Sequence, residues 1–169
     1  MDFKAYVRNV PDFPVPGIQF KDLTTLWKDK EAFHNSIEEL VNHYKNKKID
    51  KVVAAESRGF IIGAPLAYAL GVGFVPVRKA GKLPAEKISE SYALEYGVAT
   101  LEIHKDAIYP GEQVLLVDDV LATGGTCQAI IRLVEALGGK VVECAFFVVL
   151  DALKGEEKLS CPVYTLMRY

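Results

Sequence analysis

The chain of 169 residues is short of several features that mark large protein classes. It has no basic excess: 20 Lys and Arg stand against 22 Asp and Glu. A formal charge of −2 argues against a nucleic-acid scaffold, although it leaves room for a local cationic pocket. Cysteine is scarce, with only Cys127, Cys144 and Cys161, an odd number without a Cys-x-x-Cys pair or a nearby histidine. Neither a disulfide framework nor a zinc set is expected, and the widely spaced thiols read as reduced and partly buried. The amino-terminal MDFKAYVRNV lacks the apolar core of a signal peptide, and the longest apolar run, Cys144 to Leu150, is too short to cross a bilayer. The expectation is a soluble, cytosolic protein with no nucleic-acid or membrane partner.

Two common phosphate loops are missing as well. Gly81-Lys82 is followed by Leu83, and Pro76 stands where the first glycine of a Walker A loop belongs. Gly71-Val72-Gly73 precedes a strand rather than a helix, so it reads as a helix stop and not as a dinucleotide fingerprint. His34, His43 and His104 sit outside every motif, and helix surface or hairpin edge accounts for them.

What is present is a hydrophobic half of the composition, arranged as alternating helix and strand patterns with short breaks. That alternation predicts an α/β fold on one parallel sheet, in a single domain spanning residues 1–169. Phe33, Ile37, Leu40 and Tyr44 fall on one helical stripe, so a helix is expected from Asp29 to about Lys47 with Asp29 as its cap. Strands are expected at Lys51–Ala55, Gly73–Arg78, Gln113–Val117 and Lys140–Leu150. Helices should fill Gly59–Leu70, stopped by Gly71, and Gly124–Leu137, ended by Gly138-Gly139. Lys79 to Tyr96 mixes charges with Gly81 and Pro84 and lacks a long apolar face, which predicts a mobile lid loop.

The most informative stretch is VLLVDDVLATGGT, Val114 to Thr126. A strand buried on both faces delivers Asp118 and Asp119 to its carboxyl end, where ligands of open α/β sheets bind. The two carboxylates can accept from vicinal hydroxyls. Ala122-Thr123-Gly124-Gly125-Thr126 opens a helix, whose unpaired amides and positive dipole end attract a phosphate. Caps and turn punctuation would explain Asp119, Thr123 and the glycines singly, but two adjacent carboxylates are rarely needed for that. The pattern describes a ribose-phosphate cradle.

Other residues add to it. Arg58 follows the strand ending at Ala55 and should share the rim of Asp118, with a guanidinium able to clamp a diphosphate. Phe20, flanked by Gln19 and Lys21 in a proline-bounded loop, could present its ring to a flat heterocycle or anchor the loop in the core. Arg78, Lys79 and Lys82 form a basic cluster that, taken alone, fits either an anion site or a solvated face.

The run from Val114 to Thr126 resembles the signature of the type I phosphoribosyltransferases, which bind 5-phosphoribosyl 1-diphosphate (PRPP). Pro11 to Asp22, Glu56 to Phe60, Val77 to Pro84 and Ser91 to Gly97 are similar, in order and spacing, to the adenine-specific family within that group. The resemblance covers about residues 9 to 160. It implies a parallel-sheet fold with a small hood, a homodimer, Mg²⁺ carried mainly by the PRPP pyrophosphate, and transfer of phosphoribose to N9 of adenine, giving AMP in purine salvage. It also implies roles for individual residues. Backbone groups of Gln19 and Lys21 would read the base between Phe20 and Leu150, and Arg58, Arg78, Lys79 and Lys82 would meet the pyrophosphate, partly from the neighbouring subunit. A cis peptide would join Glu56 to Ser57. Asp118 and Asp119 would hold the ribose, Ala122 to Thr126 the 5′-phosphate, and Glu95, beside Tyr96, would manage the base proton. Gln19 stands where an aliphatic residue is usual and Thr25 where proline is frequent.

Three rivals remain at this stage: a phosphoribosyltransferase for another base, a non-catalytic PRPP-sensing regulator, and a receiver-like domain with a similar acidic pair. The Phe20 and Glu95 segments favour adenine. No spare basic segment suits a regulator, and too little chain follows Asp119 for a receiver.

Overall fold

The computed structural model describes residues 1–94 and 96–169. A turn of 3-10 helix at Phe3–Tyr6 leads into an antiparallel pair, β1 (Arg8–Pro11) and β2 (Gln19–Asp22). The short α1 (Thr24–Trp27) and the longer α2 (Lys30–Tyr44) follow. Asp29 caps α2 as expected, its carboxylate accepting from the amides of Glu31 and Ala32. Then come β3 (Lys51–Ala55), α3 (Arg58–Leu70), β4 (Gly73–Lys79), β5 (Lys87–Ala93), β6 (Val98–His104), β7 (Gln113–Leu121), α4 (Gly125–Ala136), β8 (Lys140–Val149) and β9 (Val163–Arg168). Gly71 ends α3 in the left-handed region, with φ of 69°.

Seven of these strands make one sheet in the order β5-β6-β4-β3-β7-β8-β9. The middle stretches of the central strands, Val52–Ala55 of β3 and Val114–Val117 of β7, are apolar because both faces are covered. On β7, Val114 and Leu116 enter the core beneath α4, while Leu115 and Val117 enter the core beneath α2 and α3. Val53 and Val52 of β3 divide in the same way. At about 1.5–3 kcal/mol for each fully buried aliphatic side chain, this double cover is what fixes the register of β3 beside β7.

The α/β fold on a mostly parallel sheet is as expected, and two details differ. The sheet is not parallel throughout: β4-β3-β7-β8-β9 are parallel, but β6 runs antiparallel to β4 and to β5. The stretch read as an unanchored lid also contains β5, paired with β6 over its whole length. Its inward stripe consists of the partly buried Ile88 and Tyr92 packed on the core, with Glu90 between them meeting Arg132 of α4 at 3.1 Å. Two apolar positions interrupted by an acid are too weak a period-two signal to identify a strand from sequence. The sequence reading also passed over β1, β2, β6 and β9.

The turn before α4 is braced from outside. Gly124 has φ of 84°, and its backbone lies against that of Gly155, in the 3-10 turn Gly155–Lys158. A methyl group on Gly124 would sit 2.7 Å from the Gly155 carbonyl oxygen, and one on Gly155 would strike the Ala122 carbonyl. Arg168 steadies the same segment, reaching Asp151 at 2.7 Å and Glu156 at 2.5 Å. Gly155→Ala is expected to cost roughly 1–3 kcal/mol by overpacking, read as a lower denaturation midpoint. An unchanged midpoint would mean that the two loops separate freely.

Candidate active site

The chain leaves β3 towards β4 and β7 towards β8, with α3 and α4 on opposite faces of the sheet. Between the carboxyl ends of β3 and β7 a crevice must therefore open. A cavity of about 450 Å³ lies at this rim. Its wall includes Arg58 from the start of α3, Asp118 and Asp119 from β7, and the whole turn Ala122 to Thr126. Gln19, Phe20 and Lys21 close it from the amino-terminal hairpin, and Leu150 closes it from beyond β8. Lys79 reaches it from the end of β4.

The acidic pair dominates the electrostatics. Asp119 is 3% exposed and meets Arg58 Nε at 2.9 Å, while Asp118 accepts from the Asp119 amide at 2.9 Å. Gly59 lets the first turn of α3 approach, since a methyl group there would stand 3.0 Å from Asp118 Oδ1. Burial pushes both carboxyls above their ordinary range; the Asp119 charge adds to the rise at Asp118, and Arg58 opposes it at both. One guanidinium does not offset two desolvated acids. The pair is left short of hydrogen-bond donors, which a ligand rich in hydroxyl groups supplies.

Across the rim, Glu56 gathers the basic cluster. Its carboxylate takes Lys82 Nζ at 2.8 Å, lies 3.3 Å from Arg78 Nε, and accepts from the Lys79 amide at 2.7 Å. Burial works against ionisation, but Lys82, the Lys79 amide and Arg78 together hold Glu56 below the usual carboxylate range. Arg78 and Lys82 thus turn to Glu56, and neither lines the cavity. Ser57 is also outside the wall, joined to Glu56 by the expected cis peptide. Tyr96 is 88% exposed and away from the cavity. Glu95 lies outside the described residues.

Phe20 stands on a strand and not in a loop, half-buried, with the Phe13 ring edge-on at 5.2 Å and Arg58 Cζ 5.6 Å from its centroid. Pro11, paired opposite Gln19, has no N–H to exchange. The alternation of an antiparallel ladder therefore turns the backbone groups of Gln19 and Lys21 to the unpaired edge of β2. Both unusual residues find local partners. The Gln19 side chain bonds Asn9 at 2.6 Å, and Thr25 donates to the Tyr6 carbonyl at 2.6 Å.

Sequence reasoning gave no role to Glu56, Tyr92 or Leu153, although Glu56 and Tyr92 lie inside recognisable motifs; all three line the cavity. The three cysteines are widely spaced in sequence and free of disulfides. They meet in space, Cys127 Sγ 3.6 Å from Cys144 Sγ and that atom 3.3 Å from Cys161 Sγ, all three unpaired. His43 is occupied with Glu143 at 3.0 Å, and His104 with the Ala85 amide at 3.4 Å.

Comparison with known proteins identifies the family. The family model for the phosphoribosyl transferase domain matches residues 28–167. The adenine phosphoribosyltransferase of Halothermothrix orenii is 56% identical over 99% of both chains. The crystal structure of that enzyme from Thermoanaerobacter pseudethanolicus superposes with a TM-score of 0.96 at 52% identity, covering 99% of this chain and 98% of its own. The Saccharomyces cerevisiae enzyme, solved with an imino-altritol bisphosphate and adenine, gives 0.93 at 45% identity, with 98% and 96% covered. With the acidic pair, the glycine turn and Arg58 gathered on one cavity, this chain belongs to the phosphoribosyltransferase family, among its adenine phosphoribosyltransferases.

Proposed function

We infer that the protein, acting as one domain over residues 1–169, transfers the 5-phosphoribosyl group of PRPP to N9 of adenine, yielding AMP and pyrophosphate in purine salvage. The observation that carries this reading is the single cavity in which an aromatic ring, a buried acidic pair and a phosphate-sized turn face one another.

The roles follow from position. Amides and hydroxyls of Ala122, Thr123, Gly124, Gly125 and Thr126 take the 5′-phosphate at the start of α4. Asp118 and Asp119 accept from the ribose hydroxyls, which supply the missing donors. As the C1–O bond to pyrophosphate breaks, positive charge grows on C1 and the ring oxygen, and the nearby carboxylates stabilise it. Arg58 and Lys79 hold the departing pyrophosphate. Arg78 and Lys82 join them by exchanging Glu56 for phosphate oxygens, with Ser57 at the same edge. Adenine lies between Phe20 and Leu150, read by the backbone of Gln19 and Lys21, and Glu95, with Tyr96 beside it, takes the base proton. Water must be kept from the cation-like carbon, a task for the turn between β5 and β6.

Mg²⁺ fits this site as a passenger of the substrate. Among the described residues no three His, Cys, Asp or Glu side chains converge on a metal position. Mg²⁺ keeps several waters and prefers phosphate oxygens, so it would be held by the pyrophosphate, with Asp118 and Asp119 as nearby acceptors. Its contribution is to offset the charge of the leaving group.

The functional unit is a homodimer in the same reading. From Gly59 to Val77 there is no charged residue, yet Ile61 and Tyr68 on α3 are 39% and 90% exposed. An uncharged, partly apolar helix face of this kind suits a second copy of the chain. Three free thiols fit a reducing cytoplasm, and among the described residues no helix is long and apolar enough to cross a membrane.

Incubation with PRPP, Mg²⁺ and single bases tests the reading directly: pyrophosphate should be released with adenine and not with hypoxanthine, xanthine or uracil. Release with another base and none with adenine would reject it. Asp118→Asn should raise KM for PRPP roughly tenfold or more, because an amide offers one acceptor oxygen to the ribose hydroxyls where the carboxyl group offers two. The same change should raise thermal stability near neutral pH. An acid whose folded pKa is elevated makes the fold less stable as pH climbs from about 4 towards that value, and the amide removes this decline. Unchanged PRPP saturation would contradict the ribose role. Glu95→Gln should lower kcat with little change in substrate binding, and wild-type turnover would take Glu95 out of the mechanism.

A further inference from the structure

Strand β5 touches the phosphate turn through one side chain. The ring of Tyr92 lies over Gly125, where an added methyl group would meet it at 3.3 Å, and its phenol oxygen is 2.8 Å from Thr126 Oγ1. Either oxygen can be the donor in the free protein. A phosphate removes that choice. The anion only accepts, so the Thr126 proton must point to it, and the lone pair left facing Tyr92 must receive the phenol proton.

We propose that Tyr92 is a positioning residue for the 5′-phosphate: it donates to Thr126 Oγ1, holds the threonine hydroxyl in its phosphate-facing rotamer, and thereby ties β5 to phosphate occupancy. This rests on the reading of Ala122 to Thr126 as the phosphate cradle and extends it to a residue of the opposite wall. The two hydrogen bonds run in series, so each strengthens the other by polarisation. The ring is held ready for this. Gly125 leaves room for its edge, β6 pairs with β5 from Lys87 to Ala93, and Arg132 grips Glu90 two residues away. Glu95 follows Tyr92 by three residues in the chain, so the strand that feels the phosphate leads directly to the proposed proton carrier.

Tyr92→Phe keeps the ring and removes one oxygen. Calorimetric titration of the full-length protein should show ribose 5-phosphate weakened roughly threefold to tenfold, the range of one net hydrogen bond, with pyrophosphate affinity unchanged. In turnover, KM for PRPP should rise with kcat held within about twofold, the pattern of lost uniform binding. Thr126→Val should weaken ribose 5-phosphate by itself, and adding Tyr92→Phe to it should cost nothing more. Equal loss of ribose 5-phosphate and pyrophosphate, or fully additive losses in the double variant, would reduce Tyr92 to a packing residue. So would wild-type ribose 5-phosphate affinity in Tyr92→Phe. If Thr126→Val alone left ribose 5-phosphate binding intact, the phosphate cradle itself would fall, a different failure from one confined to Tyr92.

Discussion

Two carboxylates side by side at the end of a buried strand are the constraint around which the rest of the site is arranged. A fold tolerates such a pair only if something nearby answers the charge, and here Arg58 answers it in part. The arginine is in reach because β3 and β7 are neighbours, and they are neighbours because the apolar side chains of both strands serve two cores at once. Packing on the two faces of the sheet is thus converted into a charge arrangement at its rim.

The remaining parts are set against this centre by backbone and not by long side chains. Gly59 brings the start of α3 close to Asp118, and the Gly124–Gly155 contact presses the loop after β8 onto the glycine turn before α4. Pro11 decides which backbone groups of β2 stay free. Side chains that can move, such as Arg78 and Lys82, lie at the margin and are occupied with Glu56. In the proposed reading, this sets rigid placement at the reacting sugar against adjustable charge at the leaving group.

The central half of this was legible in the sequence. The run from Val114 to Thr126 announces strand, acids, turn and helix in order because each step is local: apolar continuity, then acceptors, then glycines. Asp29 and Gly71 were legible for the same reason. The edge hairpin was not, since β5 exposes polar Ser89 and Ser91 beside only two apolar anchors, Ile88 and Tyr92, and pairs with β6 over its whole length. Gly155 was invisible because its importance lies in its contact with the distant backbone of Ala122 and Gly124. The meeting of Cys127, Cys144 and Cys161 was hidden likewise, arising from the crossing of α4 over β8 and the return to β9.

Glu56 acts as an internal counter-ion. It keeps Arg78 and Lys82 from repelling each other while no polyanion is present, and it must be outcompeted by any that arrives. The gain on capture is then a difference between two partners rather than a full ion-pairing energy. Discharge of the same anion is eased by an equal amount, because a waiting carboxylate takes back the cations as they are freed. A binding edge built in this way is suited to letting go, which is what repeated turnover demands of it.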